Sequence, residues 1–444
     1  MTIDDTVSML DVAGIGFGPS NLALAIALDA LAPGRRSCFF EKQPQFRWHG
    51  GMLLPGSRMQ VSFLKDLVTL HDPTSRFTFV NYLHAHGRLV DFINQKTFFP
   101  SRIEFNDYLC WAAAQFDDRA AYGTEVVAIE PFTTNGRLTA FAIRTADAAG
   151  RERVVRARSA VVAMGGRPRI PEPFRPLKGE PRLFHSSGYL RHLDRIRLAD
   201  QAGGRVAVIG GGQSAAEIFS DIRSRFPRVK VDLVLRAAAL KPADDSPFVN
   251  EIFNPGFTDL IFSQAPARRR AVIDEFRGTN YSVVDLDLIQ SIYEDLYQQK
   301  VTGEDRLRIR PGQQVTGVSA GEGGITLATR DVLSGAALTE SYQAVILATG
   351  YDRDLPRDLV GALDPHVTGW EPDRLYRVPM ADPSGPVLHL QGACEDSHGL
   401  SDTLLSVVVI RAQEIATALG QHLDRLDAAA AAPARRPALA GAHG

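Results

Sequence analysis

Cysteine is scarce in this chain, which has three cysteines among 444 residues. Cys38, Cys110 and Cys394 are too far apart in sequence for a disulfide framework, a zinc pattern or a Cys-x-x-Cys redox pair. We therefore predict no metal site, and this cysteine usage fits the reducing cytoplasm.

An excess of one charge and a long apolar run are also missing. The 49 basic and 51 acidic residues leave a net charge of −2, and no basic run precedes the C-terminal tail, so nucleic acid and anionic membrane surfaces are not predicted partners. No charged start leads into an apolar signal core, and Arg411 interrupts the longest apolar run near the C-terminus, so we predict neither a secretion signal nor a membrane span. A small-molecule substrate is expected, and the oligomeric state, a homo-oligomer included, stays open.

A strand, a glycine turn and a helix follow one another near the N-terminus, in the order that opens a dinucleotide site. Gly14 is expected to permit the tight turn, and Gly16 to let the backbone approach a pyrophosphate. Gly18 is small, and Pro19, which stands where the motif usually has Gly or Ala, is tolerated in a first helical turn. Glu41, at the end of the next strand, is the candidate for the ribose hydroxyls, with a surface carboxylate as the alternative.

A second strand, glycine turn and helix at residues 204–217 match the pattern more closely. Gly210, Gly212 and Ala215 follow an unbroken apolar strand. Arg236 stands where an NAD site carries an acid, and a cation there suits the 2′-phosphate of NADP, with a surface arginine as the alternative. The most economical interpretation is a flavin domain interrupted by an NADPH domain.

The predicted fold class is α/β, with two dinucleotide-binding, Rossmann-like domains and a small, mostly helical substrate-binding region. The apolar strand at 342–347 also ends in a glycine turn, and we expect it to return the chain to the first sheet. The last residues are a low-complexity run of alanine, proline and arginine and are expected to be disordered. The predicted bounds are 1–168 and 340–427 for the FAD domain, 169–249 and 301–339 for the NADPH domain, 250–300 for the helical region and 428–444 for the tail.

Several polar residues outside the two glycine turns receive no role from spacing alone. Lys65 is, on composition, an ordinary surface lysine, and Asn250 and Asn280 stand at breaks where asparagine usually makes turns. Trp48 lies in an aromatic stretch that suits either a loop covering a cofactor or a plug in the core.

Five stretches carry a further signal: Gly14-Ile-Gly-Phe-Gly-Pro-Ser-Asn, Met59-Gln-Val-Ser-Phe-Leu-Lys-Asp-Leu, Gly211-Gly-Gln-Ser-Ala-Ala-Glu, Ala348-Thr-Gly-Tyr and His398-Gly-Leu-Ser-Asp-Thr-Leu-Leu-Ser. Together they resemble the microbial N-hydroxylating flavin monooxygenases, and within them most resemble the L-ornithine N5-monooxygenases of hydroxamate siderophore synthesis. The resemblance covers residues from about 10 to 420, and Pro19 is part of this family's version of the turn.

The resemblance implies a role for each matching side chain. The substrate carboxylate would pair with Lys65, the amino-acid end would be held by Asn250 and Asn280, and the side near the reacting amine would be lined by Ser401, Leu404 and Leu405. The implied FAD contacts are Gly14, Gly16, Gly18, Pro19, Glu41, Trp48, His49, Gln60, Thr349 and Gly350. The implied NADPH contacts are Gly210, Gly212, Gln213, Ser214, Arg236 and Asn280, with Gln60 and Asn280 beside the flavin.

The chemistry implied by the resemblance needs no protein nucleophile or base. NADPH reduces FAD, reduced FAD takes up O2 as a C4a-hydroperoxide, and the side-chain amine of L-ornithine attacks the distal oxygen to give N5-hydroxyornithine and water. The protein must exclude water, retain NADP+ and present a neutral amine. The last task is demanding, because an amine with a pKa near 10.4 is free base in only about one molecule per thousand at neutral pH.

Three other functions stay open on the sequence. Hydroxylation of L-lysine at N6 differs by one methylene, which is worth only about 1–3 kcal/mol in a pocket. An NADPH-dependent flavin reductase or oxidase is a different class, whose disulfide-reducing version is disfavoured by the missing Cys-x-x-Cys pair. A nucleotide-binding regulator without catalysis would bind FAD that NADPH fails to reduce.

Overall fold

The structure is a computed structural model that describes residues 9–431. Up to residue 168 its elements are, in chain order, β1 (Val12–Ile15), α1 (Pro19–Leu31), β2 (Ser37–Glu41), α2 (Phe79–Ala85), α3 (Leu89–Asn94), α4 (Arg102–Ala113), β3 (Ala120–Tyr122), β4 (Thr124–Thr134), β5 (Arg137–Asp147), β6 (Glu152–Ala157), β7 (Ser159–Val162) and β8 (Arg167–Pro168). The middle elements are β9 (Leu183–His185), α5 (Leu193–Gln201), β10 (Arg205–Ile209), α6 (Gln213–Arg225), β11 (Lys230–Val234), α7 (Pro247–Asn250), α8 (Pro255–Phe262), α9 (Pro266–Phe276) and α10 (Leu286–Thr302). The last are β12 (Leu307–Arg310), β13 (Gln313–Gly321), β14 (Gly324–Asp331), β15 (Ala337–Tyr342), β16 (Ala344–Leu347), β17 (Tyr351–Asp352), α11 (Arg357–Val360), β18 (Val387–Leu390), α12 (Glu395–His398) and α13 (Val408–Ala431).

Five parallel strands in the order β18-β7-β1-β2-β3 form the first sheet, where the two ends of the chain meet. All four residues of the central strand β1 are buried, as expected for a strand that is covered on both faces. Ile15 lies opposite Phe40 and Val162, so the carboxyl ends of three strands meet at one edge. Ligands of open α/β sheets bind at such an edge.

The second sheet has the strand order β12-β11-β10-β16-β9 and is also parallel throughout. Because β16 pairs with β10 and β9 here, our expectation that this strand returns the chain to the first sheet is wrong. A strand that is buried on both faces is continuously apolar, and its sequence does not distinguish one parallel sheet from another. The chain rejoins the first sheet later, through β18.

Two antiparallel, three-stranded sheets accompany the parallel ones. The strands β4, β5 and β6 form one meander, and β13, β14 and β15 form the other. The chain crosses between the two parallel sheets twice, and at this crossing β8 pairs with β17, with Tyr351 opposite Pro168. Residues 168 and 169, between which the sequence analysis placed a domain boundary, therefore lie at the crossing.

Residues 247–302 are mainly helical. The final helix continues to Ala431, so residues 428–431 of the predicted disordered tail are helical, because alanine is a strong helix former. The rest of that tail lies outside the described residues. Every helix within residues 9–431 is too short or too polar to span a membrane.

His389, on β18, is buried, and its ring nitrogens have no hydrogen-bond partner within residues 9–431. Burial lowers the pKa of its imidazole from 6.5 to about 3. Between these two pH values the imidazole is protonated in the unfolded chain but neutral in the folded protein. The free energy of unfolding should therefore fall as the pH falls from about 6.5 towards 3, by up to roughly 1.4 kcal/mol per pH unit from this group. We expect His389→Leu to flatten this dependence, measured by urea unfolding at about pH 7.5 and about pH 5.5.

The matched control is His71→Leu, since His71 is exposed. This variant should keep the pH dependence of the unmodified protein. An unchanged dependence in His389→Leu would contradict the assignment.

Candidate active site

The first glycine turn joins β1 to α1 at the carboxyl edge of the first sheet. Gly16 has φ +83°, which favours glycine, and a Cβ there would lie 2.6 Å from the carbonyl oxygen of Ala163. Gly14 is instead part of β1, where a Cβ would lie 2.2 Å from the ring of Phe39. The tight turn that we predicted at Gly14 therefore belongs to Gly16, and Gly14 makes room for the neighbouring strand.

The N-terminus of α1 is open to an anion. Gly18 is its N-cap without a side-chain cap, and Pro19 occupies the first helical turn as predicted. A Cβ on Gly18 would meet nothing within 4 Å, so the space beside the turn at Gly18 is open. Uncapped N–H groups together with the helix dipole suit a pyrophosphate.

Glu41 reaches this turn from the end of β2. Its buried carboxylate accepts hydrogen bonds from the backbone N–H groups of Phe17, at 3.0 Å, and Gln43, at 2.9 Å. Glu41 is therefore not the surface carboxylate of the alternative interpretation. The carboxylate retains lone pairs that could accept hydrogen bonds from ribose hydroxyls.

The second glycine turn repeats this geometry between β10 and α6. Gly210 has φ +146°, and a Cβ there would lie 2.3 Å from the carbonyl oxygen of Ala348. Gly212 is the N-cap of α6, again without a side-chain cap, and Ser214 is half-buried in its first turn. Arg236 lies just beyond β11, is exposed, and has no hydrogen bond or ion pair within residues 9–431.

Aromatic rings gather where the two parallel sheets adjoin. The ring of His49, a residue with φ +48°, lies 4.8 Å from the ring of Trp48 and 6.1 Å from that of Tyr351. Tyr351 begins β17 and directly follows Thr349 and Gly350, which lie in the turn after β16. Two of the predicted flavin segments, which are far apart in sequence, are therefore neighbours.

Lys65 lies in a loop between the first sheet and α2. It is half-buried, and burial lowers the pKa of its ammonium group; no carboxylate within residues 9–431 forms an ion pair with it. The adjacent Asp66 accepts hydrogen bonds from the backbone N–H groups of Val68, Thr69 and Phe79, at 2.9, 2.7 and 2.7 Å. Asp66, to which the sequence analysis gave no role, therefore holds the loop in shape, and the ammonium group is left without a counter-ion.

A small apolar cluster unites the other predicted substrate segments. Together with the side chains that pack on it, it comprises Ile252, Phe253, Phe257, Ile273, Phe276, Tyr281, Leu400 and Leu404. Asn250, Asn280 and Ser401 each lie one or two residues from a member of this cluster. Leu405 packs against the core of the first sheet instead.

The break before α10 touches both the substrate segments and the second glycine turn. The hydroxyl of Tyr281 lies 2.7 Å from that of Thr403 and donates to Glu395 at 3.0 Å. Ser282, at φ +60°, lies close to Gly212, where a Cβ would be 3.5 Å from its Cα. Asn280 directly precedes these two residues in the chain, and its two predicted roles stay predictions.

Within the described part of the chain, Lys65 forms no hydrogen bond with Asn250 or Asn280. The side-chain amide of Asn250 donates to the carbonyl oxygen of Asp245 at 2.7 Å, which is the turn chemistry weighed from the sequence. The Lys65 loop is tied to the helical region through Gln60, whose Nε2 donates to Asp285 at 2.8 Å.

Three polar residues at the site escaped the sequence analysis. Asn21 donates to the carbonyl oxygen of Gly16 at 2.7 Å and fixes the first turn; Asp285 bridges two glutamines; Arg411 forms a buried ion pair with Asp402. Asn21 had a signal, since it ends the Gly-Pro-Ser-Asn stretch. The other two act through partners that are distant in sequence. No group of three or more His, Cys, Asp or Glu side chains within residues 9–431 could hold a metal ion.

Two parallel sheets, each with a glycine turn that leads into an uncapped helix, define a class of enzyme that brings two dinucleotides to one site. The chain matches the family described as L-lysine 6-monooxygenase/L-ornithine 5-monooxygenase over residues 8–353. It is 50% identical to the L-ornithine N(5)-monooxygenase of Pseudomonas aeruginosa over 421 residues, which are 94% of this chain and 95% of that protein.

Solved structures agree with this match. The ornithine hydroxylase from Pseudomonas aeruginosa has a TM-score of 0.90 at 50% identity, over 94% of this chain and 100% of that one. The ornithine N-hydroxylase of Kutzneria sp. 744 has a TM-score of 0.87 at 37% identity, over 94% and 100%. The chain therefore belongs to the L-lysine 6-monooxygenase/L-ornithine 5-monooxygenase family, and the resemblance read from the sequence is confirmed.

Proposed function

We propose that the protein hydroxylates L-ornithine at N5, using FAD, NADPH and O2, and that the product serves hydroxamate siderophore synthesis. The observation that carries the proposal is Lys65, a half-buried ammonium group without a carboxylate partner among residues 9–431. The chain that contains it is 50% identical in sequence to an L-ornithine N(5)-monooxygenase. An amino-acid carboxylate supplies the missing charge.

The two uncapped helices fit two dinucleotides. FAD would be held by the N-terminus of α1 and Glu41, with Trp48 and Gln60 near its ring, and NADPH would be held by the N-terminus of α6 and Arg236. Bound FAD, once reduced, supplies the chemistry that activates O2. The solved Kutzneria enzyme contains reduced FAD, NADP+ and L-ornithine, which supports the same set here.

The chain's own residues bind the substrate and shield it. Lys65 would bind the carboxylate, while Asn250, whose amide N–H is engaged by Asp245, keeps its Oδ1 as an acceptor for the α-ammonium group. Leu404, which packs on the apolar cluster, would border the side-chain amine. An apolar border lowers the pKa of that amine and so raises its neutral fraction.

The decisive experiment measures N-hydroxylated product against NADPH consumed, with L-ornithine and L-lysine side by side. Product from L-ornithine in near-equal amount to NADPH supports the proposal. Product from L-lysine alone would assign the N6-hydroxylase activity, and peroxide without product would indicate a flavin oxidase. Bound FAD that NADPH does not reduce would indicate a nucleotide-binding regulator without catalytic activity.

Arg236→Ala should weaken the use of NADPH far more than that of NADH. A charge-assisted hydrogen bond to a phosphate is worth about 1.5–3 kcal/mol, so we expect the KM for NADPH to rise roughly 10- to 100-fold. The measurement is the KM for each nucleotide. Arg228→Ala is the control, because Arg228 is exposed before the other end of β11, and equal losses with NADPH and NADH in Arg236→Ala would refute the phosphate role.

A further inference from the structure

Asp285 is the N-cap of α10, a position where an aspartate usually accepts a hydrogen bond from the first turn of its own helix. Its side chain makes no such bond. Instead, Oδ1 accepts from Nε2 of Gln60 and Oδ2 accepts from Nε2 of Gln213, each at 2.8 Å. One carboxylate thus joins the Lys65 loop to the second glycine turn.

Gln213 is the first residue of α6, directly after that turn, and its side-chain amide is held at three points. Nε2 donates to Asp285 at 2.8 Å and to Glu217 at 3.1 Å, and Oε1 accepts from the backbone N–H of Asp285 at 2.9 Å. Both amide hydrogens are therefore used. The side chain holds the first turn of α6 in place and has no hydrogen left to donate to a dinucleotide.

Glu217 fixes the other side of this amide. It is buried, and both of its oxygens accept hydrogen bonds from Arg102 of α4 at 2.8 Å. Glu217 therefore has a cation as its partner, whereas Asp285 is bonded by two neutral amides. Gln60 is exposed, so its position depends on Asp285 rather than on packing.

We propose that Asp285 is a positioning residue that sets the second glycine turn relative to Gln60, and thereby couples the binding of NADP(H) to the surroundings of the flavin. This inference rests on the proposed function, which makes the turn an NADPH site and places Gln60 beside FAD. Without the carboxylate, Gln213 loses one of its three hydrogen bonds, and the exposed side chain of Gln60 loses the bond that holds it.

The test compares the unmodified holoenzyme with Asp285→Ala, Asp285→Asn and the control Asp287→Ala. Asp287 lies in the same helical turn and is exposed. The readouts are the Kd of NADP+ by calorimetry on the oxidised holoenzyme, the visible flavin spectrum, product formed per NADPH, and the KM for L-ornithine.

Asp285→Ala should raise the Kd of NADP+ about tenfold or more, shift the flavin spectrum and lower the product per NADPH. The KM for L-ornithine should stay within about twofold, because the carboxylate makes no contact with Lys65 or Asn250. Asp285→Asn should recover most of the loss, since its oxygen can accept from Gln213 while its NH2 group donates to Gln60 after the exposed amide turns over. Asp287→Ala should match the unmodified protein.

A Kd in Asp285→Ala within about twofold of the unmodified value would overturn the inference. So would an asparagine variant as weak as the alanine variant, because charge rather than hydrogen-bond geometry would then be the cause. If Asp285→Ala does not fold, Gln213→Ala decides, because it removes the same hydrogen bond from the other side: a Kd of NADP+ about tenfold higher would support action through Gln213, and a Kd within about twofold of the unmodified value would exclude it. Failure of the unmodified protein to hydroxylate L-ornithine would refute the proposed function and leave the NADP+ titration as the test of Asp285.

Discussion

Replacement of Arg411 by methionine is expected to lower the free energy of unfolding by about 3–5 kcal/mol. Arg411 and Asp402 are 1% and 0% exposed, and Nη1 and Oδ1 of their ion pair are 2.7 Å apart. The guanidinium group also donates to Ser20 at 2.9 Å and to Gln391 at 3.1 Å. Methionine fills much of the volume but leaves a buried carboxylate without its cation, which is the costly part of the change.

The same substitution should reduce the amount of FAD that is retained. Ser20 lies in the first turn of α1, and Gln391 donates to Asn21, the residue that fixes the first glycine turn, at 3.1 Å. Urea unfolding and the flavin content after purification are the measurements. Arg197→Met is the control, because Arg197 is 63% exposed and its ion pair with Asp194 is on the surface. That control should change stability by no more than about 0.5 kcal/mol.

A stability of Arg411→Met equal to that of the control would contradict this prediction. A loss of stability with full flavin retention would keep the ion pair as a structural element and remove its link to the first turn.

Lys65→Met should raise the KM for L-ornithine by roughly 30-fold or more, with little change in flavin content. Truncating one partner of a desolvated charge pair costs about 2 kcal/mol or more, which corresponds to that factor. Burial already lowers the pKa of this ammonium group, so it gains more from a bound carboxylate than an exposed lysine would. Steady-state kinetics with varied L-ornithine, and the flavin absorbance of the purified protein, measure the two effects.

Lys300→Met is the matched control, since Lys300 is exposed in the last turn of α10. It should leave the KM unchanged. An unaltered KM in Lys65→Met would remove the carboxylate assignment, and loss of flavin would mean that Lys65 stabilises the fold of its loop.

The two glycine turns could be predicted from the sequence because each is local. The strand, the turn and the helix lie within one short stretch, and a residue such as Pro19 at the start of α1 has the same meaning there in any surroundings. Glu41 was chosen from its spacing after the first turn, and the structure places its carboxylate at that turn, while its contact with ribose stays a prediction. The tight turn predicted at Gly14 lies at Gly16 instead, since only the observed φ angle shows where the chain turns.

The sequence by itself therefore determined the α/β class, the two turns that begin dinucleotide sites, and a family resemblance that the comparisons confirm. Tertiary structure alone decided the sheet to which β16 belongs, the apolar cluster that brings Ile252, Tyr281 and Leu400 together, and the bonds of Asp285 and Arg411. The physical reason is the separation along the chain of the residues that interact. Turn and helix signals act between neighbours in the chain, whereas strand pairing and buried ion pairs join residues whose separation no local pattern encodes.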